Sequence, residues 1–214
     1  LRPVRTRIAS LDELNLPREL EGLMDFQNGL VLFSGAAGSG KSSTLAALID
    51  SVNQSAAKHV ITLEDPIEHR YIGAQSVIHQ REVGRHVGSF AEGLRAALRE
   101  SPDIILVGEM RDLPTISAAL TAAETGHLVL STLHTGSASA AIDRIIDVFP
   151  GEQQSQARLQ LSSSLRAVVT QFLLPRKNSQ LMVPALEKLM VNDAVKAQIR
   201  DGRAHQIQTQ IQAG

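Results

Sequence analysis

The 214-residue sequence contains no cysteine and no tryptophan, and aromatic residues make up only 3% of it. The lack of cysteine excludes disulfides, thiolate zinc sites and a cysteine nucleophile. Cysteine usage therefore does not indicate the cellular compartment. The scarcity of aromatic rings leaves few surfaces on which nucleic-acid bases could stack.

An excess of charge of one sign is also absent, because 21 basic and 22 acidic side chains leave a formal net charge of −1. No strong field attracts nucleic acid or an anionic membrane surface, and we expect no nucleic-acid partner. The apolar runs, such as those at residues 30–33 and 104–107, are far shorter than the ~20 residues of a membrane-spanning helix. Since no basic segment followed by an apolar stretch opens the chain, we expect a cytoplasmic protein.

Short apolar runs alternate with longer helical patterns from residue 29 onwards. The runs predict strands buried on both faces at residues 30–33, 60–63, 104–107 and 128–130. The patterns between them predict helices at residues 42–54, 90–99 and 113–125. This alternation is typical of an α/β domain with a mostly parallel sheet. After Pro150 the spacing of apolar residues predicts helices up to residue 175 and again at residues 186–200.

A phosphate-binding loop is the most specific motif in the chain. Eight consecutive residues fit the pattern of glycine, any four residues, glycine, lysine and serine or threonine: Gly35, Ala36, Ala37, Gly38, Ser39, Gly40, Lys41 and Ser42. A predicted strand enters the loop and a predicted helix leaves it, so backbone N–H groups would face the phosphates. Lys41 would reach the β- and γ-phosphates and Ser42 would bind Mg²⁺, while Ser43 completes the nucleotide-binding set. The sequence therefore predicts a site for ATP and Mg²⁺.

Two acidic clusters directly follow predicted buried strands. One contains Glu64 and Glu68, and the other contains Glu109. Ligands bind at the carboxyl ends of strands in open parallel sheets, so both clusters should face the phosphate loop. Gly108 stands where an ordinary Walker B strand has an aspartate, so Glu109 either helps to hold Mg²⁺ or polarises the attacking water. Glu68 is its rival for the water, and Ser42, Glu64 and Glu109 are the candidate magnesium ligands.

Asp65 and Asp112 belong to the same two clusters, but each has a simpler explanation. An aspartate before a proline suits a turn, and an aspartate before a helix suits an N-cap. For both residues a role in the site and a purely structural role remain open.

His127 and His134 lie at the two ends of the predicted strand at residues 128–130. No third ligand at a suitable spacing accompanies them, which argues against a zinc site. The pair suits a sensor of the γ-phosphate better, and Arg111 is a further candidate for sensing or coupling. An arginine from a neighbouring subunit can raise the rate of phosphoryl transfer by ~10³- to 10⁵-fold. Sequence alone does not choose among Arg2, Arg5, Arg7, Arg81, Arg95, Arg99 and Arg111.

The order and spacing of four segments resemble the secretion ATPase superfamily, which includes type II secretion and type IV pilus motors. The segments are the phosphate loop at residues 35–42, an Asp box at 61–68, a variant Walker B at 103–112 and a His box at 126–134. Methionine at position 110 and the segments at residues 80–84 and 142–150 are similar to the retraction branch of the pilus motors. Extension enzymes commonly carry a four-cysteine zinc loop, which this chain lacks.

The resemblance implies a RecA-like P-loop core at residues 28–150 and a helical C-terminal region at residues 151–214. Residues 1–27 would be the end of an N-terminal PAS-like domain and its linker. A homo-hexamer is implied that hydrolyses ATP with Mg²⁺ at the cytoplasmic face of the inner membrane. It would act on a pilus platform protein and reach the membrane only through partners. Pilus retraction is the implied function, with pilus extension or type II secretion, and a non-hydrolysing nucleotide-binding subunit, as the alternatives.

Overall fold

The computed structural model describes residues 7–177 and 182–207. In chain order its strands are β1 (Gly29–Ser34), β2 (His59–Glu64), β3 (Val77–Glu82), β4 (Ile104–Val107), β5 (Leu128–Leu133), β6 (Leu165–Pro175) and β7 (Met182–Met190). They form one sheet in the order β3-β2-β4-β5-β1-β6-β7. Every neighbouring pair is parallel except β6 with β7, which is antiparallel. The prediction of a mostly parallel sheet is confirmed.

Helices connect and cover these strands. The α-helices of the described residues are α1 (Lys41–Ser55), α2 (Phe90–Ala97), α3 (Leu113–Glu124), α4 (Ala138–Asp147), α5 (Gly151–Ser164) and α6 (Asp193–Arg200). Short 3-10 helices lie at Arg18–Asp25 and Ala204–Gln206. Within the described ranges, no helix is both long enough and apolar enough to cross a membrane.

The helix N-termini follow from short polar side chains. Ser89, Asp112 and Ser137 each accept a hydrogen bond from the backbone N–H three residues further on, at the starts of α2, α3 and α4. Each bond satisfies an N–H group that lacks a partner within its helix. Asp112 is therefore the N-cap of α3, which is the structural one of the two roles left open for it.

The sheet is buried on both faces, which explains why its strands are continuous apolar runs. All six residues of β1 are buried, with Leu30 and Leu32 in one apolar cluster and Val31 and Phe33 in the other. The first cluster lies under α2 to α6, and the second lies under α1 and the 3-10 helix Arg18–Asp25. Because each face is covered, alternation with polar residues is not required in these strands.

The prediction of helices throughout the C-terminal region is wrong. α5 ends at Ser164, and the segments Leu165–Pro175 and Met182–Met190 are strands β6 and β7. The β-branched side chains of Val168, Val169 and Thr170 favour extended backbone, and β1 offers an edge with which β6 pairs. Strand pairing therefore outweighs the helical spacing of the apolar residues. The predicted second helix forms only from Asp193 to Arg200, as α6.

The sheet also continues beyond the predicted limit of the core at residue 150, because β6 pairs with β1. At the other end of the chain, residues 1–6 of the segment expected to end a PAS-like domain, 1–27, lie outside the described residues, as do residues 178–181 and 208–214.

Candidate functional site

The loop between β1 and α1 closes around the side chain of Lys41. This residue is buried, and its Nζ atom donates hydrogen bonds to the carbonyl oxygens of Gly35 and Ala36 at 2.7 and 2.9 Å. Burial lowers the pKa of Lys41, and the negative charge of Glu109 partly counters this effect. The ammonium group is therefore fixed inside the loop, within the electrostatic reach of a carboxylate from another strand.

The loop rests against Gln171 of β6, and this contact requires two of its glycines. Gly35 has φ +140°, and a Cβ atom there would lie 2.3 Å from the Gln171 carbonyl oxygen. Gly40 has φ +93°, and its Cβ atom would lie 2.8 Å from Gln171 Nε2. The buried amide of Gln171 also accepts a hydrogen bond from Thr44 Oγ1 at 2.8 Å. Gln171 of β6 thus positions the loop, a role that the sequence patterns do not predict.

The tips of β2, β4 and β5 meet the loop at one cavity of about 500 Å³. Its lining includes Lys41, Ser42, Glu64, Glu68, Glu109 and His134. The two acidic clusters therefore face the phosphate loop, as expected for the carboxyl ends of parallel strands. Five further loop residues or neighbours line the same cavity: Ala37, Gly38, Gly40, Ser43 and Arg111.

Gly108 allows the tip of β4 to lie close to β2. Its N–H donates to the Leu63 carbonyl oxygen at 2.8 Å, and a Cβ atom at this position would lie 3.1 Å from the same oxygen. On the other side, Thr132 Oγ1 donates to the Gly108 carbonyl oxygen at 2.6 Å. An aspartate would be crowded here, so the next residue, Glu109, carries the carboxylate into the cavity.

Glu109 is held by two cationic or basic neighbours. Its Oε2 atom lies 2.5 Å from Arg111 Nη2, and its Oε1 atom lies 3.4 Å from His134 Nε2. Burial alone would raise the pKa of Glu109, but the hydrogen bond from Arg111 and the charge of His134 together place it below its usual range. Glu109 is therefore ionised near neutral pH and can accept a proton or bind a cation.

Glu64 has a different environment. Its Oε1 atom accepts hydrogen bonds from Thr62 Oγ1 at 2.7 Å and from Gln80 Nε2 at 3.1 Å. Burial raises the pKa of Glu64, and these hydrogen bonds only partly offset that effect. The side chain is thus anchored at one oxygen. Gln80, which also donates to the His69 carbonyl oxygen at 2.7 Å, is a second positioning residue that the sequence analysis missed.

The structure separates the two predicted sensor histidines. His134 follows β5 and lines the cavity, but His127 precedes β5, where its backbone carbonyl accepts from Gly29 N and its Nδ1 atom contacts the Ala122 carbonyl oxygen at 3.2 Å. Six strand residues lie between them, which amounts to about 20 Å. His127 lies at the amino-terminal end of β5, whereas the phosphate loop lies at the carboxyl ends of the strands. The structure therefore contradicts a contact between His127 and a phosphate in this loop.

The residues at the cavity suit a nucleotide phosphate and a hard cation. Ser39 Oγ is buried and has no hydrogen-bond partner within residues 7–177 and 182–207, so a donor or acceptor of a ligand could satisfy it. A Cβ atom on Gly38 would meet open space, which leaves that backbone accessible. The oxygen donors of Ser42, Glu64 and Glu109 are of the kind that Mg²⁺ prefers.

Comparison with known proteins agrees with this geometry. The family model described as "Type II/IV secretion system protein" matches residues 8–211. The Escherichia coli (strain K12) protein described as "Uncharacterized protein YggR" is 49% identical over 215 residues, covering 100% of this chain and 65% of the relative. The type IV pilus retraction ATPase PilT of Pseudomonas aeruginosa (strain PAO1) is 46% identical over 213 residues, covering 100% of this chain and 62% of the relative.

A solved structure has the same fold. The crystal structure of the pilus retraction motor PilT with bound ADP matches with a TM-score of 0.93 and 46% identity, covering 99% of this chain and 62% of that chain. This match confirms the predicted RecA-like arrangement with a mostly parallel sheet. The chain spans less than two thirds of the length of each of these three proteins. By its motifs, its fold and its similarity along nearly the whole sequence, the chain belongs to the family of type II/IV secretion system proteins.

Proposed function

We propose that this chain is the ATP-hydrolysing core of a motor that drives pilus retraction. The observation that carries the proposal is the meeting of Lys41, in a phosphate loop, with Glu109, at the tip of β4, in one cavity. The similarity to PilT along the whole chain supports retraction, because PilT is named as a pilus retraction ATPase.

Nucleotide binding would use the backbone N–H groups of residues 35–42 and the N-terminus of α1. Lys41 would turn its ammonium group from the carbonyls of Gly35 and Ala36 toward the phosphates, since a charged acceptor makes the stronger hydrogen bond. Ser42 and Glu64 would hold Mg²⁺, with Glu109 as a further candidate ligand. When bound, this ion neutralises negative charge on the transferring phosphoryl group. The ADP in the PilT structure supports a nucleotide as the ligand.

Hydrolysis would depend on Glu109 as the group that orients the attacking water and accepts its proton. Its contacts with Arg111 and His134 keep it ionised, which suits a base. Glu68 lines the same cavity and is the alternative for this role. His134 contacts Glu109 and directly follows β5. Loss of the γ-phosphate would therefore be coupled to a movement of β5 through this residue. Arg111 is exposed and would couple the site to a neighbouring subunit.

Phosphate release and nucleotide binding together test the catalytic assignment. We expect Lys41→Ala to lose nucleotide affinity, and Glu109→Gln to retain it while losing hydrolysis. Glu152→Gln, an exposed carboxylate on α5, is the matched control and should turn over normally. Glu68→Gln decides between the two candidate bases. Wild-type turnover by Glu109→Gln would contradict its role, and nucleotide binding without any hydrolysis by the parent would favour a non-hydrolysing subunit.

The proposed assembly is a homo-hexamer at the cytoplasmic face of the inner membrane, which acts on a pilus platform protein and does not bind nucleic acid. The pilus name of the relative supports a place in the pilus machinery, and the near-neutral net charge of −1 argues against nucleic acid. Light scattering with ATP and with ADP measures the oligomer. Added DNA or RNA should leave turnover unchanged.

Retraction and extension give opposite results in a deletion strain. Loss of a retraction motor should leave assembled pili on the cell surface, whereas loss of an extension or secretion motor should remove pili or stop secretion. We expect surface pili to persist, and surface movement to return with the parent gene but not with the gene for Lys41→Ala. Loss of surface pili in the deletion strain would contradict the retraction proposal.

A further inference from the structure

A cluster of metal-ligand side chains lies outside the phosphate site. Within residues 7–177 and 182–207, His59, His79 and Glu100 are the group of three histidine or acidic residues whose ligand atoms all lie within 4.8 Å of one another. His59 begins β2, His79 lies in the middle of β3, and Glu100 follows α2. The sheet register brings the two histidines together, because His79 pairs with Ile61, two residues beyond His59 on the same face of β2.

One nitrogen atom of each imidazole ring points toward the other ring. His59 Nε2 lies 3.0 Å from His79 Nδ1, and the rings are nearly perpendicular at 89°. Ligands about 2.0–2.1 Å from one tetrahedral metal ion lie about 3.4 Å apart, so the pair is close to the spacing that a shared ion needs. Both facing nitrogens accept a metal when His59 carries its hydrogen on Nδ1 and His79 carries its hydrogen on Nε2.

Glu100 supplies the third ligand. Its Oε2 atom accepts a hydrogen bond from Arg81 Nη2 at 2.7 Å, which leaves the other carboxylate oxygen for a cation. A hydrogen bond to the second oxygen is the kind of outer contact that orients a metal-binding carboxylate. The side chain of Glu100 is about one third exposed, so a small rotation can bring its oxygen to the histidines. The charge of Arg81 opposes the cation and will lower its affinity.

We propose that His59, His79 and Glu100 form a binding site for a divalent transition-metal ion of the zinc class. Two imidazole nitrogens and one carboxylate select Zn²⁺, Co²⁺ or Ni²⁺ over Mg²⁺, which prefers oxygen ligands alone. The exposure of His79 leaves a further position for water. A bound ion would join β2, the edge strand β3 and the segment after α2, so it stabilises the folded chain.

This site is separate from the nucleotide cavity. His59 begins β2 and Glu64 ends it, and five residues of strand correspond to about 17 Å. No local sequence pattern reveals the group, because its members are 20 and 21 residues apart and only the pairing of β2 with β3 brings the histidines together. The proposal does not depend on ATP hydrolysis.

Titration of the nucleotide-free chain, carrying no histidine tag, tests the site. We expect one Co²⁺ per chain with visible absorption bands, its displacement by Zn²⁺, and a higher melting temperature with Zn²⁺. Loss of an outer-shell contact alone lowers metal affinity by about 10–100-fold, so we expect His79→Gln to lower it by at least ~100-fold. His205→Gln, an exposed histidine in the 3-10 helix Ala204–Gln206, is the matched control and should bind as the parent does.

A second variant keeps the test decisive if His79→Gln fails to fold. Glu100 lies outside the strands, and Glu100→Gln should also weaken Co²⁺ binding. The melting temperature without metal shows whether each variant folds. Zn²⁺ bound to the parent should show imidazole scattering in its X-ray absorption spectrum. Equal affinity of the parent and His79→Gln for Co²⁺ would overturn the proposal, as would the absence of a one-to-one complex.

Discussion

The Oε1 atom of Glu109 lies 3.4 Å from the Nε2 atom of His134, so the second residue beyond β4 contacts the first residue beyond β5. The contact exists because β4 and β5 are parallel neighbours whose carboxyl ends lie side by side. Thr132 strengthens this arrangement by a hydrogen bond to the Gly108 carbonyl oxygen. A shift of β5 therefore moves a partner of the proposed base.

Arg111→Gln should shift the acid limb of ATP hydrolysis to higher pH. Burial raises the pKa of Glu109, and the hydrogen bond from Arg111 is the largest effect that lowers it. Without that cation, Glu109 takes up a proton at a higher pH and the base is lost earlier as the solution is acidified. The measurement is kcat against pH, and an unmoved acid limb contradicts the role of Glu109 as the base.

The contribution of Glu109 to the stability of the fold should also depend on pH. The folded pKa of Glu109 lies below its usual value, which is about 4.3 in an unfolded chain. The contacts of Glu109 therefore stabilise the fold fully above that pH, and this stabilisation is lost as the pH falls through the lower folded pKa. Urea unfolding of the parent and of Glu109→Gln should differ most near neutral pH and converge in acid. A difference that grows in acid would show that the sign is wrong.

Gln171→Leu should weaken nucleotide binding and lower the free energy of unfolding by about 1 kcal/mol. The substitution removes the hydrogen bond from Thr44 Oγ1, and one such bond contributes about 0.5–1.5 kcal/mol. It also removes the amide against which Gly40 packs, so the loop loses its support. Urea unfolding and nucleotide titration measure the two effects. The control is Gln156→Leu on α5, an exposed glutamine that should change stability by no more than about 0.5 kcal/mol.

Gly108→Ala should reduce kcat more than nucleotide affinity. The added Cβ atom would lie 3.1 Å from the Leu63 carbonyl oxygen, so β4 must move away from β2 and carry Glu109 with it. Crowding of this kind typically costs about 1–3 kcal/mol. Gly108→Asp should do the same and should not create an ordinary Walker B site. Gly136→Ala, whose Cβ atom would meet open space, is the matched control. Unchanged kcat in Gly108→Ala would contradict the tight approach of the strands.

Asp112→Ala should lower stability by about 0.5–2 kcal/mol, the usual cost of losing an N-cap. Asp112 Oδ1 accepts from Thr115 N at 2.9 Å and Oδ2 accepts from Thr115 Oγ1 at 3.1 Å. Asp112→Ser can still cap α3, so it should retain both stability and hydrolysis. A loss of hydrolysis in Asp112→Ser at normal stability would instead assign this carboxylate to the site.

The sequence patterns predicted the centre of the sheet well and its outer strands poorly. β4 was predicted at its observed bounds, Ile104–Val107, because both of its faces are buried and its residues are continuously apolar. β3 was missed because it is an edge strand whose residues are mostly exposed or half-buried. β6 was mistaken for a helix, since a run such as Val168 to Thr170 becomes a strand only when β1 is present to pair with it.

Local sequence by itself determined the phosphate loop, the buried strands that lead into it and the carboxylates that follow β2 and β4, because each depends on residues adjacent in the chain. Tertiary structure alone decided that Gln171 supports the loop, that Gln80 anchors Glu64, and that His127 lies at the end of the strands away from the phosphate loop. Those relationships arise from strand order and register, which join residues tens of positions apart. A periodic pattern records which side chains are buried, but it does not record the strand against which they pack.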